Sequence, residues 1–205
     1  ITSATIDPVE FVRYFEEVTT VDICDFEAAR EEFLYKVTYN EQKALKKNQI
    51  VSMVSEKVLD VYRNPKLNAE GCRTNGHILA FLPGKKEIQE CLGELEGLLG
   101  GDAVKIVDLY RGAPDENLAD TRKNDDVLLR RIYLATNIAE TSLTIDNLGY
   151  VVESGLIKVD QWNPITRRSQ LELEWHSKSG CQQRWGRVGR GRQGWVYTLY
   201  TEDQF

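Results

Sequence analysis

The sequence has few of the residues that build metal sites or disulfide frameworks. Its four cysteines, at positions 24, 72, 91 and 181, lie far apart, and no Cys-x-x-Cys pair occurs. The two histidines, His77 and His176, have no partner at the spacing of a metal motif. We therefore expect the cysteines to behave as buried small hydrophobic residues, and we expect no metal site.

Long apolar runs are also missing. No stretch approaches the ~20 residues that span a bilayer, and no N-terminal secretion signal is visible. A cytoplasmic or nuclear setting without membrane contact is the resulting expectation. The chain opens on Ile1 rather than Met, so we expect Ile1 not to be the natural start of the protein.

The sequence has fewer basic than acidic residues, 26 against 32, which gives a net charge of −6. This balance excludes broad, nonspecific binding to polyanions. Any contact with a nucleic acid must therefore be local and made by a few cations and backbone N–H groups. The segment 183–190, which reads Gln-Arg-Trp-Gly-Arg-Val-Gly-Arg, is such a local group.

This octet predicts a helix with two chemically different faces. Gln183, Arg187 and Arg190 would lie within about 60° of one another. The guanidiniums of the two arginines suit paired hydrogen bonds to phosphate oxygens. Two glycines inside the octet would each cost about 1 kcal/mol in a helix, which predicts close approach by a ligand or another backbone. The alternative is a solvated basic run or a disordered Arg/Gly-rich tail. The opposite, apolar face would consist of Cys181, Trp185 and Val188.

The apolar pattern predicts an α/β fold. Short apolar strands alternate with amphipathic helices, which is typical of a parallel sheet covered on both faces. In such sheets ligands gather at the carboxyl ends of the strands. The predicted strands are 19–23, 34–39, 78–82, 104–109, 132–135, 151–152 and 196–200, and the predicted helices are 8–17, 49–62 and 88–99.

Two loops follow predicted strands. In the segment 136–146, Asn137 and Glu140 resemble a capping box, so a short helix would begin there with free N–H groups suited to a phosphate. An ordinary capped turn explains the same residues. The second loop, Pro83-Gly84, follows the predicted strand 78–82 and leads into Lys85-Lys86. It is a weaker example of the same arrangement, in which a loop after a strand leads into a helix.

Residues 155–173 predict a β-hairpin with arms at 156–159 and 169–173. Its tip carries Trp162 together with Arg167 and Arg168. Such a tip can stack on bases or split strands. Packing against another domain is the alternative use of a projecting aromatic hairpin.

In combination these segments resemble the DEAH-box (DEAH/RHA) group of superfamily 2 helicases. The segment 136–146 (TNIAETSLTID) resembles the fifth motif of that family, and 183–190 resembles the sixth, Gln-Arg-x-Gly-Arg-x-Gly-Arg. Ser-Ala-Thr at 3–5 is similar to the short family motif that links the nucleotide and nucleic-acid sites. Phe-Leu-Pro-Gly at 81–84 is similar to the fourth motif of the family. The resemblance implies a three-layer RecA-like domain with a mainly parallel sheet and a projecting β-hairpin. Residues 1–18 would end the first RecA-like domain and its linker, and residues 19–205 would form the second.

The family resemblance also implies how ATP is used. ATP lies between two RecA-like domains, with Mg²⁺ held mainly by the first domain. By similarity, Gln183 would position the attacking water, and Arg187 and Arg190 would reach the γ-phosphate as arginine fingers. Ser142 would sense the γ-phosphate, and Asp146 would bind the ribose or the water network.

The same resemblance implies a nucleic-acid partner. The parent protein would be an ATP-dependent RNA helicase or translocase that grips single-stranded RNA, with its own first RecA-like domain and C-terminal auxiliary domains as partners. An inactive helicase-like binding module and a DNA-directed helicase are the alternatives. The residues implied to contact the strand are Gly84, Thr136, Asn137 and Thr144, with Trp162 from the hairpin tip.

Three departures from the family pattern are visible. Trp185 and Val188 replace the usual small residues of the sixth motif, which predicts altered packing on the apolar face. No aromatic residue lies between Tyr110 and Tyr133 to stack on adenine, and Arg122 is a candidate substitute. The phosphate-binding Gly-x-x-x-x-Gly-Lys-Thr loop and the Asp-Glu-x-His motif are absent, so we expect no ATP hydrolysis by this fragment alone.

Overall fold

The computed structural model describes residues 35–41, 47–66, 75–121, 129–141, 143–165, 167–190 and 192–205. All of them belong to the second of two units into which the chain divides, Phe33–Phe205. The predictions that lie outside the described residues are the motif at 3–5, the helix at 8–17, the strand at 19–23, the domain boundary at 18/19, Arg122 and Ser142.

The strands are β1 (Tyr35–Thr38), β2 (His77–Phe81), β3 (Val104–Leu109), β4 (Arg130–Ala135), β5 (Leu148–Glu153), β6 (Leu156–Asn163), β7 (Arg168–Trp175) and β8 (Gly194–Thr198). Six of them form one parallel sheet in the order β1-β8-β5-β2-β4-β3. Every residue of β5, β2 and β4, which are three of the four inner strands, is buried. These strands are near-continuous apolar runs because both faces of the sheet are covered.

The helices are α1 (Ile50–Arg63), α2 (Lys85–Leu99), α3 (Asp115–Asp120), α4 (Ile138–Thr141) and α5 (Lys178–Trp185). The connections through α1 and α2 move along the sheet in one direction, and those through α4 and α5 move in the other. Since parallel crossovers are right-handed, the two pairs cover opposite faces. The predicted three-layer α/β architecture is therefore confirmed.

β6 and β7 pair with each other in an antiparallel hairpin that is separate from the main sheet. The hairpin leaves the carboxyl end of β5 and leads into α5. Its arms are longer than predicted, and most of β7 is exposed. The hairpin therefore extends beyond the core, as the sequence pattern indicated.

The buried stripe of α2 consists of Ile88, Cys91, Leu95 and Leu99, whereas Leu98 is 50% exposed. One strand boundary differs from the prediction. β4 begins two residues earlier than predicted, with buried Arg130 and Arg131. The Arg130 guanidinium donates to the carbonyls of Val61 and Tyr62 at the end of α1, which satisfies carbonyls that the helix leaves unpaired.

The expected character of the cysteines is confirmed at the two positions that the structure describes. Cys91 and Cys181 are free and buried. Burial raises the pKa of each thiol to about 12, so both remain protonated at neutral pH.

Candidate nucleotide and nucleic-acid interface

The segment 136–146 runs from the carboxyl ends of the strands to their amino ends. Thr136 follows β4 at its carboxyl end, and its N–H donates to the Leu109 carbonyl at 3.0 Å. Asp146 lies just before the amino end of β5, and its N–H donates to the Thr121 carbonyl at 3.2 Å. Asp146 thus lies near the amino end of a strand, whereas Thr136 lies at the carboxyl ends, where ligands usually gather in such sheets. One segment instead connects two separate places on the domain.

The short helix in this segment is α4, with four residues. The predicted capping box is wrong, because the Glu140 carboxylate does not turn back to Asn137. Its Oε2 lies 2.9 Å from His176 Nε2 and 3.2 Å from Arg184 Nε. Glu140 therefore ties the segment to α5 rather than closing its own helix.

The octet 183–190 is only partly helical. α5 ends at Trp185, and the N–H groups of Arg187 and Val188 donate to carbonyls three residues back, at 3.2 Å each. Gly189 then adopts a φ of 82°, a conformation that glycine reaches without strain. The prediction of one continuous helical face was wrong, and neither glycine lies inside a helix. The predicted apolar face is confirmed, since Cys181, Trp185 and Val188 are all buried.

A cavity of about 150 Å³ lies between this turn and the end of the 136–146 segment. Arg187 and Arg190 line it together with Thr144 and Asp146. The structure thus brings two predicted finger residues and the predicted ribose ligand together. Gln183 is half-buried and does not line this cavity, and Thr144 lies here rather than beside Thr136.

Arg187 is held at the rim of the cavity by backbone carbonyls. Its Nη1 donates to the Leu143 carbonyl at 3.2 Å, and its Nη2 donates to the Glu140 carbonyl. Its Nε is buried without a hydrogen-bond partner among the described residues. Burial and the nearby charge of Arg190 lower the pKa of Arg187 below its usual value. An anion in the cavity would relieve this repulsion, so these residues fit a phosphate group.

Sequence reasoning missed Arg192, which lines the same cavity and donates to Asn147 Oδ1. Its position two residues after the octet was the available signal. With Arg187 and Arg190 it makes three cationic side chains around one small space.

Sequence reasoning also missed Arg184, whose side chain has no exposure to solvent. Its Nη1 donates to Glu153 Oε1 at 2.8 Å, its Nε donates to Glu140, and its guanidinium lies 4.7 Å from the centre of the Phe81 ring. The signal was its spacing of three residues from Cys181, which placed a charge on the predicted apolar face. Arg184 thereby joins the segments that resemble the fourth, fifth and sixth motifs.

Two candidate strand-binding residues lie at the carboxyl ends of neighbouring strands. Gly84 is the N-cap of α2, just after β2, and half-buried Thr136 follows the adjacent strand β4. Asn137, next to Thr136, is exposed. An ion pair of 2.8 Å between Lys158 and Glu87 lies over Gly84, where an added Cβ would be 2.8 Å from Glu87 Oε2.

Trp162 lies on the outer part of the hairpin and is 61% exposed. Ile165 at the tip and Leu171 on the opposite arm are also exposed. The Trp162 ring is therefore accessible to a partner, as its predicted role requires.

The described part of the chain holds no cluster of three or more His, Cys, Asp or Glu side chains able to bind a metal ion. None of the helices described combines the length and apolar character needed to traverse a bilayer.

Comparisons with known proteins place the chain in a family. No family model matches the sequence. The chain is 32% identical over its whole length to the ATP-dependent RNA helicase HrpA of Borreliella burgdorferi. It is also 32% identical, over 97% of its length, to the human ATP-dependent RNA helicase DHX30. The crystal structure of the Escherichia coli DEAH/RHA helicase HrpB superposes with a TM-score of 0.71 and 28% identity, covering 83% of this chain and 20% of that one.

The chain is much shorter than these relatives, because it spans 23% of HrpA and 17% of DHX30. The matched region nevertheless includes both the 136–146 segment and the 183–190 octet, since it extends over essentially the entire chain. The chain therefore belongs to the DEAH-box (DEAH/RHA) family of helicases.

Proposed function

We propose that this chain is the second motor domain of an ATP-dependent RNA helicase or translocase. The observation that carries the proposal is the cavity in which Arg187 and Arg190 meet Asp146. The segment that supplies Asp146 begins at the opposite, carboxyl ends of the strands with Thr136 and Asn137. A single segment would thus link a nucleotide site to a strand-binding site.

The nucleotide site would be completed by the first RecA-like domain. In this proposal Arg187 and Arg190 donate to the γ-phosphate, and Asp146 accepts from the ribose or from ordered water. Gln183 and Ser142 would position the attacking water and sense the γ-phosphate. Mg²⁺, held mainly by the first domain, would neutralise charge that develops on the transferred phosphoryl group.

The strand-binding site would use the carboxyl edge of the sheet and the hairpin. Gly84, Thr136 and Asn137 would lie along the sugar–phosphate backbone, and Trp162 would stack on a base. Thr144 lines the cavity of Arg187 and Arg190, so its contribution to strand binding would be indirect. The RNA preference rests on the relatives, which are named RNA helicases.

The test uses the full-length protein with the substitutions Arg187→Ala and Arg190→Ala. Each is expected to lower the kcat for ATP hydrolysis by ~10³-fold or more, because an arginine finger stabilises charge on the transferred phosphoryl group. Arg63→Ala is the matched control, since Arg63 is an exposed arginine at the end of α1. Unchanged hydrolysis in both finger variants would refute the assigned role.

A second experiment addresses the polymer. ATPase activity of the intact protein is measured with single-stranded RNA and with single-stranded DNA of the same sequence. Stronger stimulation by RNA supports the proposal, because only RNA presents 2′-hydroxyl groups. Stronger stimulation by DNA favours a DNA-directed helicase. An intact protein with no ATPase activity under either condition would be an inactive binding module.

A further inference from the structure

Glu140 connects three side chains of the α5 region to the 136–146 segment. Its carboxylate contacts His176 at 2.9 Å and Arg184 at 3.2 Å. Its backbone carbonyl accepts a hydrogen bond from Arg187 Nη2. The position of Glu140 therefore determines where one of the Arg187 contacts can form.

The direction of the His176 contact follows from the charge of Glu140. Burial tends to raise the pKa of this carboxyl, but the His176 hydrogen bond and the Arg184 charge outweigh burial and lower it below its usual range. An ionised carboxylate can only accept hydrogen bonds. His176 Nε2 is therefore the protonated ring nitrogen, and its N–H donates a hydrogen bond to Glu140 Oε2.

The His176 ring depends on the glycine at position 180. A Cβ added to Gly180 would lie 2.1 Å from His176 Nε2, so any larger residue would displace the ring. Gly180 lies within α5, where glycine costs about 1 kcal/mol relative to alanine. The sequence thus places a helix-weakening residue at a position where any side chain would push this imidazole away from its place beside Glu140.

His176 is itself fixed by the base of the hairpin. It follows β7 directly, and its N–H donates to the Gly155 carbonyl at 2.8 Å. The Gly155 N–H in turn donates to Glu153 Oε1 at 2.7 Å, on the same carboxylate that pairs with Arg184. The imidazole therefore extends from a rigid position in the fold toward α4.

We propose that His176 is a positioning residue for Arg187 that acts through Glu140, an inference that rests on the proposed function. His176 holds the Glu140 carboxylate from the hairpin side while Arg184 holds it from α5. Together they fix α4, and with it the Glu140 carbonyl that orients the Arg187 guanidinium beside the cavity. Without His176, Arg187 loses part of this alignment but keeps its charge and its place in the chain.

The experiment compares His176→Ala, His176→Gln and Arg187→Ala in the full-length protein, alone and combined. His176→Ala is expected to lower kcat for ATP hydrolysis by about 10- to 100-fold, since a small misplacement of a catalytic group has this effect. The KM for ATP should change little. His176→Gln, which keeps a donor at a similar distance, should retain most of the activity. In the Arg187→Ala background, His176→Ala should cause no further loss.

A second pair of variants distinguishes positioning from simple loss of stability. Gly180→Ala should lower kcat in the otherwise unchanged protein, because it displaces the His176 ring. The same substitution should have no further effect when His176 is already alanine. Urea unfolding of each variant verifies that it folds.

Two results would overturn the inference alone: unchanged kcat in His176→Ala while Arg187→Ala is inactive, or equal losses from His176→Ala with and without Arg187. Unchanged kcat in Arg187→Ala would overturn both this inference and the finger role of Arg187. The two failures are therefore distinguishable.

Discussion

Arg184 Nη1 lies 2.8 Å from Glu153 Oε1, and neither side chain is exposed to solvent. A buried pair of this kind adds little net stability over an apolar pair, but removing one partner leaves the other charge without compensation. Arg184 also contacts Glu140, so its loss would affect two carboxylates.

We expect Arg184→Leu to lower the free energy of unfolding by about 3–5 kcal/mol. Adding Glu153→Leu should restore part of this loss, because it removes the uncompensated charge. The measurement is urea unfolding of the domain. Lys57→Ala is the control, since it breaks an exposed ion pair with Asp60 that is worth about 1 kcal/mol or less. A loss in Arg184→Leu no larger than in this control would contradict the prediction.

A pH dependence is expected from His77. Burial, with the charges of Arg131 and Arg130, lowers its pKa to about 4, and its Nδ1 accepts the Arg131 N–H at 3.2 Å. The unfolded chain therefore binds a proton between about pH 6.5 and pH 4 that the folded chain does not bind, so stability falls as the pH falls through this window.

Between pH 7 and pH 5 we expect His77 to account for a loss of about 2 kcal/mol in the free energy of unfolding. His77→Asn cannot take up this proton, so its stability should fall less over the same range. Other groups titrate in both proteins, and the difference between them isolates His77. Parallel pH profiles of the two proteins would disprove the assignment.

Gly189 and Gly186 are expected to respond differently to the same substitution. Gly189 has a φ of 82°, so Gly189→Ala should cost about 1–2 kcal/mol and disturb the adjacent Arg190. Gly186 has a φ of −65°, and an added Cβ would meet its nearest neighbour at 3.5 Å. Gly186→Ala should therefore be close to neutral. Thermal unfolding and ATPase assays of the full-length variants measure both effects, and equal losses at the two positions would exclude the backbone explanation.

Gly84→Ala tests the proposed strand-binding edge. The added methyl group would displace only the flexible ends of Glu87 and Lys158, and the φ of −164° suits any residue, so stability should change little. If the RNA backbone lies against Gly84, overpacking should weaken binding by about 1–3 kcal/mol, or about 5- to 150-fold in Kd. Fluorescence anisotropy with labelled single-stranded RNA measures this. Gly93→Ala in α2 is the control, because an added Cβ there would have no neighbour within 4 Å. Equal RNA affinities of the Gly84→Ala and Gly93→Ala variants would show that the RNA backbone does not lie against Gly84.

Local patterns in the sequence determined the architecture. Apolar runs such as 78–82 and the stripe of α1 depend on residues a few positions apart, and burial of one face follows directly from their spacing. The order of the motif-like segments likewise identified the family before any contact was known. The hairpin, the apolar face formed by Cys181, Trp185 and Val188, and two of the three arginines of the cavity, Arg187 and Arg190, were visible at this level.

Only the tertiary structure determined which charged side chains are buried, which partners they have, and where α5 ends. Arg184 is buried because Glu140 and Glu153, 44 and 31 residues away in sequence, meet it in the folded domain. The same contacts hold the Glu140 carboxylate away from Asn137, so the predicted capping box does not form. Gly189 turns the chain after α5, and Arg190 lines the cavity from this turn rather than from a helix. The energy of a buried charge depends on its partners, and partners this distant in sequence come together only when the whole sheet has formed.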